Sequence, residues 1–306
     1  MKILVGYSCY PYEFDIAAWN EGWLERLRCG GFEVEGFCLT LDAPGPRLGW
    51  AELDRLWRAR DPRLMAHYDR LLRRLEGFDV LLNYNGINLH PEFVEQLSCT
   101  TVFSCADDPE SSADLSRPVA SAYDLCLVGN IAAVPDYRTW GCKNARFWPL
   151  GFRHGDYDPN LREEDIARAR RDVPLSLLCE RQSPWRRARL DRFSSAFPEG
   201  VFRGPGWPAG FLPESQRIPL LQRTKVGVNF HNSTGPINFR TYYLPANGVL
   251  QVCDNRSNFA RLFELGKEAA GFDTVEKAID LCRYYMEHDD ERTEMAIAGW
   301  KRATND

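Results

Sequence analysis

The stretch VGVNFHNSTGPINFRTYYLPANGVLQVCDNRSNFARLFELGKEAAGF, Val226 to Phe272, decides how this chain is read. A short apolar run ends in Asn229 and Phe230. A small polar loop, His231 to Pro236, follows it. Helical character then runs from Asn238 to Ala246, Gly248 turns the chain, and Val249 to Val252 forms a second buried run. Strand, loop, helix, strand is the order of an open parallel α/β sheet, which binds ligands where a strand ends and a helix begins. A helix starting at Ile237–Asn238 aims free N–H groups and the positive end of its dipole at the loop, so phosphate is the expected guest.

The same alternation extends outward in both directions. Lys2 to Gly6 reads as a first strand. Ile16, Trp19, Trp23, Leu24 and Leu27 recur at helical spacing up to the stop at Gly30-Gly31. Phe32 to Leu39 is a second strand. Stripes at Trp50, Leu53, Leu56 and Trp57, and at Leu64, Tyr68, Leu71, Leu72 and Leu75, are expected to be the core faces of two helices. Strands follow at Asp79–Asn83, Thr100–Ser104, Leu125–Val128 and Arg146–Leu150. No GxGxxG follows the first strand, so the dinucleotide fingerprint is absent. The Gly/Pro/Asp-rich segment Gly151–Asn160 is the joint. It divides an N-terminal Rossmann-like domain, 1–151, from a C-terminal one, 152–306, whose closing helix is a candidate to pack back on the first. The fold expected is α/β, two Rossmann-like domains with parallel sheets facing a central cleft.

Composition narrows the function. The chain has 306 residues and a net charge of −5, with no basic bias toward duplex nucleic acid or anionic membrane. No run approaches the length of a membrane span, and the apolar start is too short for a signal peptide. The ten cysteines form no CxxC pair and sit largely in apolar runs. Buried free thiols in a reducing cytoplasm are the expectation, with no metal site. Walker, nucleophile-elbow and HExxH motifs are missing, which removes support for NTPase, serine-hydrolase and zinc-protease chemistry.

The opening stretch also resembles the C-terminal half of the CgeB-like bacterial glycosyltransferases. The resemblance rests on Gly227-Val228-Asn229-Phe230-His231, Asn238-Phe239-Arg240-Thr241-Tyr242-Tyr243, Pro245-Ala246, Gly248, Asp254, Phe263, Gly266-Lys267-Glu268 and Phe272. Asp79 to Pro109, Tyr123 to Gly151 and Gly204-Pro205-Gly206-Trp207 resemble the family more loosely. The resemblance implies a GT-B fold of the group 1-like kind, and a transferase that moves a sugar from a nucleotide-sugar co-substrate, a UDP-sugar being expected. It implies no permanently bound cofactor and no catalytic metal. The family carries Glu where this chain has Tyr243, and that Glu holds ribose hydroxyls in related enzymes. Tyr243 offers one hydroxyl and no bidentate carboxylate, so nucleotide affinity or identity is what this departure would change.

Such a transferase must neutralise a leaving diphosphate, hold sugar hydroxyls and position an acceptor oxygen. Arg240 leads for the first task, beside Asn238 at the helix start; a surface arginine is the alternative. Arg181, Arg186 and Arg187 flank Ser183-Pro184 at a second strand-to-helix mouth, and Arg187 and Ser183 are the phosphate candidates there; a solvated helix face explains them equally. His231 and Asn232 lie at the ligand edge, and Gly235 with Pro236 lets backbone approach the donor. Tyr242 and Tyr243 could meet base and ribose, or simply face a core. Gly206-Trp207 is a ring platform or a packed turn. Asp107 and Asp108 sit at the mouth of the first domain, where a carboxylate could take the acceptor proton; an ordinary turn is the alternative. Asn85, Gly86 and His90 are acceptor-side candidates. The acceptor stays open among glycan, metabolite, protein and modified nucleobase. Stereochemistry also stays open: the block resembles retaining enzymes, whereas Asp107 or Asp108 would suit inversion. The alternatives to a transferase are a nucleotide-sugar-binding protein without activity, favoured by Tyr243, and a GT-B-fold epimerase.

Overall fold

The computed structural model describes residues 1–306 apart from 11–15, 85–87, 153–154, 182–183, 185, 236–237, 255, 306 and the side chain of Trp19. The chain divides into two compact units, Met1–Pro149 and Leu150–Asp306. In the first, the elements are β1 (Lys2–Tyr7), α1 (Ile16–Cys29), β2 (Glu33–Cys38), α2 (Trp50–Arg58), α3 (Pro62–Leu75), β3 (Val80–Tyr84), α4 (Pro91–Val94), β4 (Thr100–Cys105), β5 (Leu125–Val128), α5 (Val134–Thr139) and β6 (Ala145–Phe147). The six strands form one sheet in the order β2-β1-β3-β4-β5-β6, and every pairing is parallel.

The helices obey their sequence signals. Asp61 caps α3 by accepting from the amides of Arg63 at 2.9 Å and Leu64 at 3.3 Å, and Pro62 fixes the first turn. Leu64, Tyr68, Leu71 and Leu75 of the expected stripe are buried in one cluster with Leu4, Leu81 and Phe103, whereas Leu72, expected in the same face, is exposed. Central strands are apolar on both faces because helices cover both sides of a parallel sheet. Helix α5 had no expectation in the sequence.

The second unit comprises α6 (Glu163–Arg168), β7 (Val173–Leu178), α7 (Arg187–Ser195), β8 (Val201–Arg203), α8 (Glu214–Arg223), β9 (Thr224–Asn229), α9 (Arg240–Ala246), β10 (Leu250–Cys253), α10 (Arg256–Phe259), β11 (Ala270–Gly271), α11 (Val275–Glu287) and α12 (Asp289–Asn305). Its five parallel strands run β11-β10-β9-β7-β8. Chain order reverses between β7 and β9, so their carboxyl ends make the topological switch point. Helix α9 packs on β9 and β10. Gly227 allows that approach: a Cβ there would lie 2.8 Å from the Leu244 side chain and 3.0 Å from that of Val249. Helix α12 packs on α9, α6 and β10 within this unit.

Two sequence expectations change. Helix α9 starts at Arg240, not Asn238, and its first amides are not free. Those of Thr241, Tyr242 and Tyr243 bond the carbonyls of Asn238 and Phe239 at 2.9–3.2 Å. Cys9 and Cys38, expected as free thiols, pair as a disulfide between the ends of β1 and β2; eight cysteines are free, six of them buried. Among the described residues, no helix is long and apolar enough to cross a membrane.

Candidate functional site

The carboxyl ends of β7 and β9 carry a polar network built from α7, α9 and the strand ends. Arg240, the first residue of α9, reaches back across the switch point. Its Nε donates to Asn229 Oδ1 at 3.1 Å, one terminal nitrogen to the Leu178 carbonyl at 3.0 Å, and the other to the Phe230 carbonyl at 3.3 Å. Its guanidinium therefore bridges the last residue of β7 and the end of β9. Arg186 joins it from the start of α7, donating to the same Phe230 carbonyl at 2.9 Å and to the Glu180 carbonyl at 2.9 Å. Arg186 is buried, and its Nε has no partner among the described residues. Burial holds the Arg186 guanidinium below its ordinary value, and the charge of Arg240 adds to that. It remains a cation, as arginine does in proteins.

His231 follows Phe230 in the chain and joins the network. It is buried, and its Nδ1 is 2.6 Å from Asp254 Oδ1, while its amide meets both carboxylate oxygens at 3.1 Å. With Nδ1–H donated to the carboxylate, Nε2 is the acceptor, and the Thr241 hydroxyl donates to it at 3.2 Å. Burial pulls His231 below the ordinary imidazole value. Asp254 opposes that shift, and the two arginines add to it. The ring is neutral at pH 7. Arg189 completes the set, 3.2 Å from Asp254 Oδ2 and 5.1 Å above the Phe230 ring. His231, Cys253 and Asp254 place possible metal donors within 4.8 Å of one another. Burial pushes the Cys253 thiol well above its usual value, and both imidazole nitrogens are already engaged. The arrangement is a closed hydrogen-bond network rather than an open ligand set.

The other candidates fall into three groups. Asn232 is exposed in the same loop and Gly235 is buried beside it. Ser183, Asn85 and Gly86 lie outside the described residues, as do Pro236 and Ile237.

The remaining candidates hold the fold. Asn238 exchanges amide bonds with Asn229 at 2.9 and 3.2 Å and caps the Thr241 amide at 3.1 Å, so both ends of its side chain are engaged. Tyr242 is buried with Phe152, Leu221 and Leu244. Tyr243 belongs to the same cluster, with Arg217 5.5 Å over its ring. Arg217 is itself paired to the buried Asp156 at 2.7 Å. Trp207 is a packed turn: its indole N–H donates to the Cys179 carbonyl at 2.8 Å, and Gly206 supplies the φ of 81° that the turn requires.

In the first unit, the acceptor-side candidate His90 packs inside the core. It is buried between the rings of Trp50 and Trp57, at 5.5 and 4.9 Å, caps α4, and meets Asp54 at 3.2 Å. Asp108 is buried too, its two oxygens accepting the hydroxyls of Ser116 and Tyr137 at 2.5 Å each. That carboxylate ties the loop together and has no oxygen open to an acceptor. Burial raises its pKa, the two hydroxyl bonds opposing. Asp107 keeps 43% of its side chain exposed and lies 3.7 Å from Arg47.

Arg187 is exposed, and its neighbour Arg186 takes the inward position instead. The signal was present in the spacing. Arg186, Leu190 and Phe193 fall at i, i+4 and i+7, the buried stripe of α7, and Arg187 lies off it. Arg189 had no signal of its own, because only the β10 turn brings Asp254 to it.

Two parallel sheets of this order define a GT-B fold, and the solved structures agree. Over 99% of the chain it is similar to sucrose-phosphate synthase from Thermosynechococcus elongatus, with TM-score 0.65, 11% identity and 94% of that chain covered. Over its full length it is similar to Anabaena HepE in complex with UDP-glucose, with TM-score 0.65, 14% identity and 95% coverage of that chain. An α-glucosyltransferase in complex with UDP and a 13-mer DNA containing an HMU base matches at TM-score 0.60 and 12% identity, over 99% of this chain and 95% of that one. Residues 181–306 match the family model described as glycosyl transferase-like. No curated protein sequence matches the chain.

Proposed function

We propose that this chain is a nucleotide-sugar-dependent glycosyltransferase of the CgeB-like kind, that its donor is a UDP-hexose, and that its second unit binds that donor at the β7–β9 switch point. The observation that carries the reading is the Arg240 guanidinium, which spans the ends of these two strands with Arg186 beside it. Two cations at a topological switch point suit a diphosphate leaving group, whose charge grows as the glycosidic bond breaks. The adjoining loop meets the donor sugar through the exposed Asn232 and the Gly235 backbone, and the buried His231 anchors that loop through Asp254 and Thr241. The guanidinia, not the α9 amides, supply the positive charge, because those amides bond Asn238 and Phe239. UDP and UDP-glucose in complexes of similar fold support this choice of donor. On the acceptor side Asp107 is the carboxylate able to meet a hydroxyl, since Asp108 is enclosed. Eight free thiols suit a reducing compartment, and we place the protein in the cytoplasm.

A second reading rests on Tyr243. It stands where the resemblance expects a ribose-binding Glu, and it is buried against Arg217. A chain that binds a nucleotide sugar without transferring the sugar fits that substitution. Calorimetry with UDP, UDP-glucose, ADP-glucose and GDP-mannose, followed by a donor-hydrolysis assay and an acceptor library, separates the two. Transfer or hydrolysis supports the enzyme; UDP-sugar binding without turnover supports the second reading. Absence of binding to every nucleotide removes both.

A further inference from the structure

A cavity of about 670 Å³ opens beside the donor network, at the carboxyl ends of β10 and β11. Its size lies in the range of small-ligand sites, roughly 300–1,000 Å³. It meets that network at Asp254, which forms part of its wall. The polar lining is balanced. Arg189 is held by Asp254 at 3.2 Å, Arg256 faces Asp273 at 3.5 Å, and Ser257 adds a hydroxyl to the lining. Ala260, Leu265 and Phe272 supply an apolar side.

We propose that this cavity is a subsite for a neutral saccharide, separate from the nucleotide-sugar site. Formal charges in the lining cancel, so an anion such as phosphate would meet two carboxylates and a cation two guanidinia. A neutral polyol meets neither penalty. Its hydroxyls both donate and accept, which matches carboxylates alternating with guanidinium forks and one hydroxyl. The C–H face of a sugar ring lies against Leu265 and Ala260. Asp254 already accepts from His231 and Arg189 through both oxygens. The groups that face the sugar are therefore Arg189, Arg256, Ser257 and Asp273. Arg189 is fixed before binding by Asp254 and by the Phe230 ring 5.1 Å away, which lowers the entropy lost on binding. This inference does not depend on the donor reading.

The test uses the full chain on an array of neutral, sialylated and phosphorylated oligosaccharides, then titrates the best neutral binder against the wild type, Arg256→Ala and Asp273→Ala. Both side chains are more than half exposed, at 57% and 67%, so the variants fold. Retention of neutral glycans, with at least a tenfold weaker affinity in each variant and unchanged UDP affinity, supports the subsite. Retention of no glycan, preference for anionic glycans, or equal affinity in the variants overturns it. UDP titration of the wild type is read separately, so failure of the donor site and failure of this cavity are distinguishable.

Discussion

Arg186 and Arg240 donate to one and the same acceptor, the carbonyl of Phe230, at 2.9 and 3.3 Å. Two guanidinia gathered on one oxygen repel each other, and an anion placed against them relieves that repulsion. Arg240→Ala should weaken UDP binding by about 1.5–3 kcal/mol, the range for a hydrogen bond to a charged group. Titration calorimetry reads this as a loss of roughly 10- to 150-fold. An unchanged dissociation constant, in a variant whose melting curve is intact, would take Arg240 out of the site.

Adjacent residues of α7 should behave oppositely. Arg186 lies on the buried stripe and touches the strand end; Arg187 is exposed. Arg186→Ala should lower UDP affinity by a similar order to Arg240→Ala. Arg187→Ala should leave it within about 0.5 kcal/mol, the usual scale for a surface change. Equal effects at both positions would contradict the placement of the helix face.

Asp108 is expected to matter for stability. Removing its carboxylate strands the hydroxyls of Ser116 and Tyr137 in a dry interior. Asp108→Ala should cost about 2–6 kcal/mol, since each of the two unpaired buried hydroxyls costs about 1–3. Urea denaturation measures it. Full stability with a collapsed turnover number would instead make Asp108 a catalytic group.

Stability should fall with acid through His231. Burial lowers its folded pKa below the free value of about 6.5. The unfolded chain then binds the proton that the folded one excludes. The stability is fully present above about pH 6.5 and is lost as pH drops from there toward the folded pKa. His67, lowered by burial and then by Arg70, acts with the same sign. Denaturation midpoints between pH 8 and pH 5 should decline in the wild type and decline less in His231→Gln. Parallel curves would show that the imidazole takes no part.

The architecture was largely legible because hydrophobic period survives into tertiary structure. The stripe at Leu64, Tyr68, Leu71 and Leu75 and the run Leu125–Val128 became α3 and β5 as read. Helix α5 was missed because Val134–Thr139 is too short to display a period. The site was read less well. Arg240 and His231 were singled out, and the network joins them through Thr241 and Phe230. By sequence, Asp108, Tyr242 and Trp207 each stand between a ligand contact and a turn or core role, and His90 and Asn238 are site candidates on residue type and position. In the structure each holds a turn, a cap or a core.

The sequence alone determined the alternation of strand and helix and the presence of a cation after the His231 loop. These are local properties, written in spacing and turn chemistry. Tertiary structure decided which of two neighbouring arginines faces the strand end, that Asp254 reaches back to His231 and Arg189, and that the α9 amides are already taken. Those outcomes depend on contacts between residues up to 65 positions apart, as for Arg189 and Asp254, and no local pattern encodes such a distance.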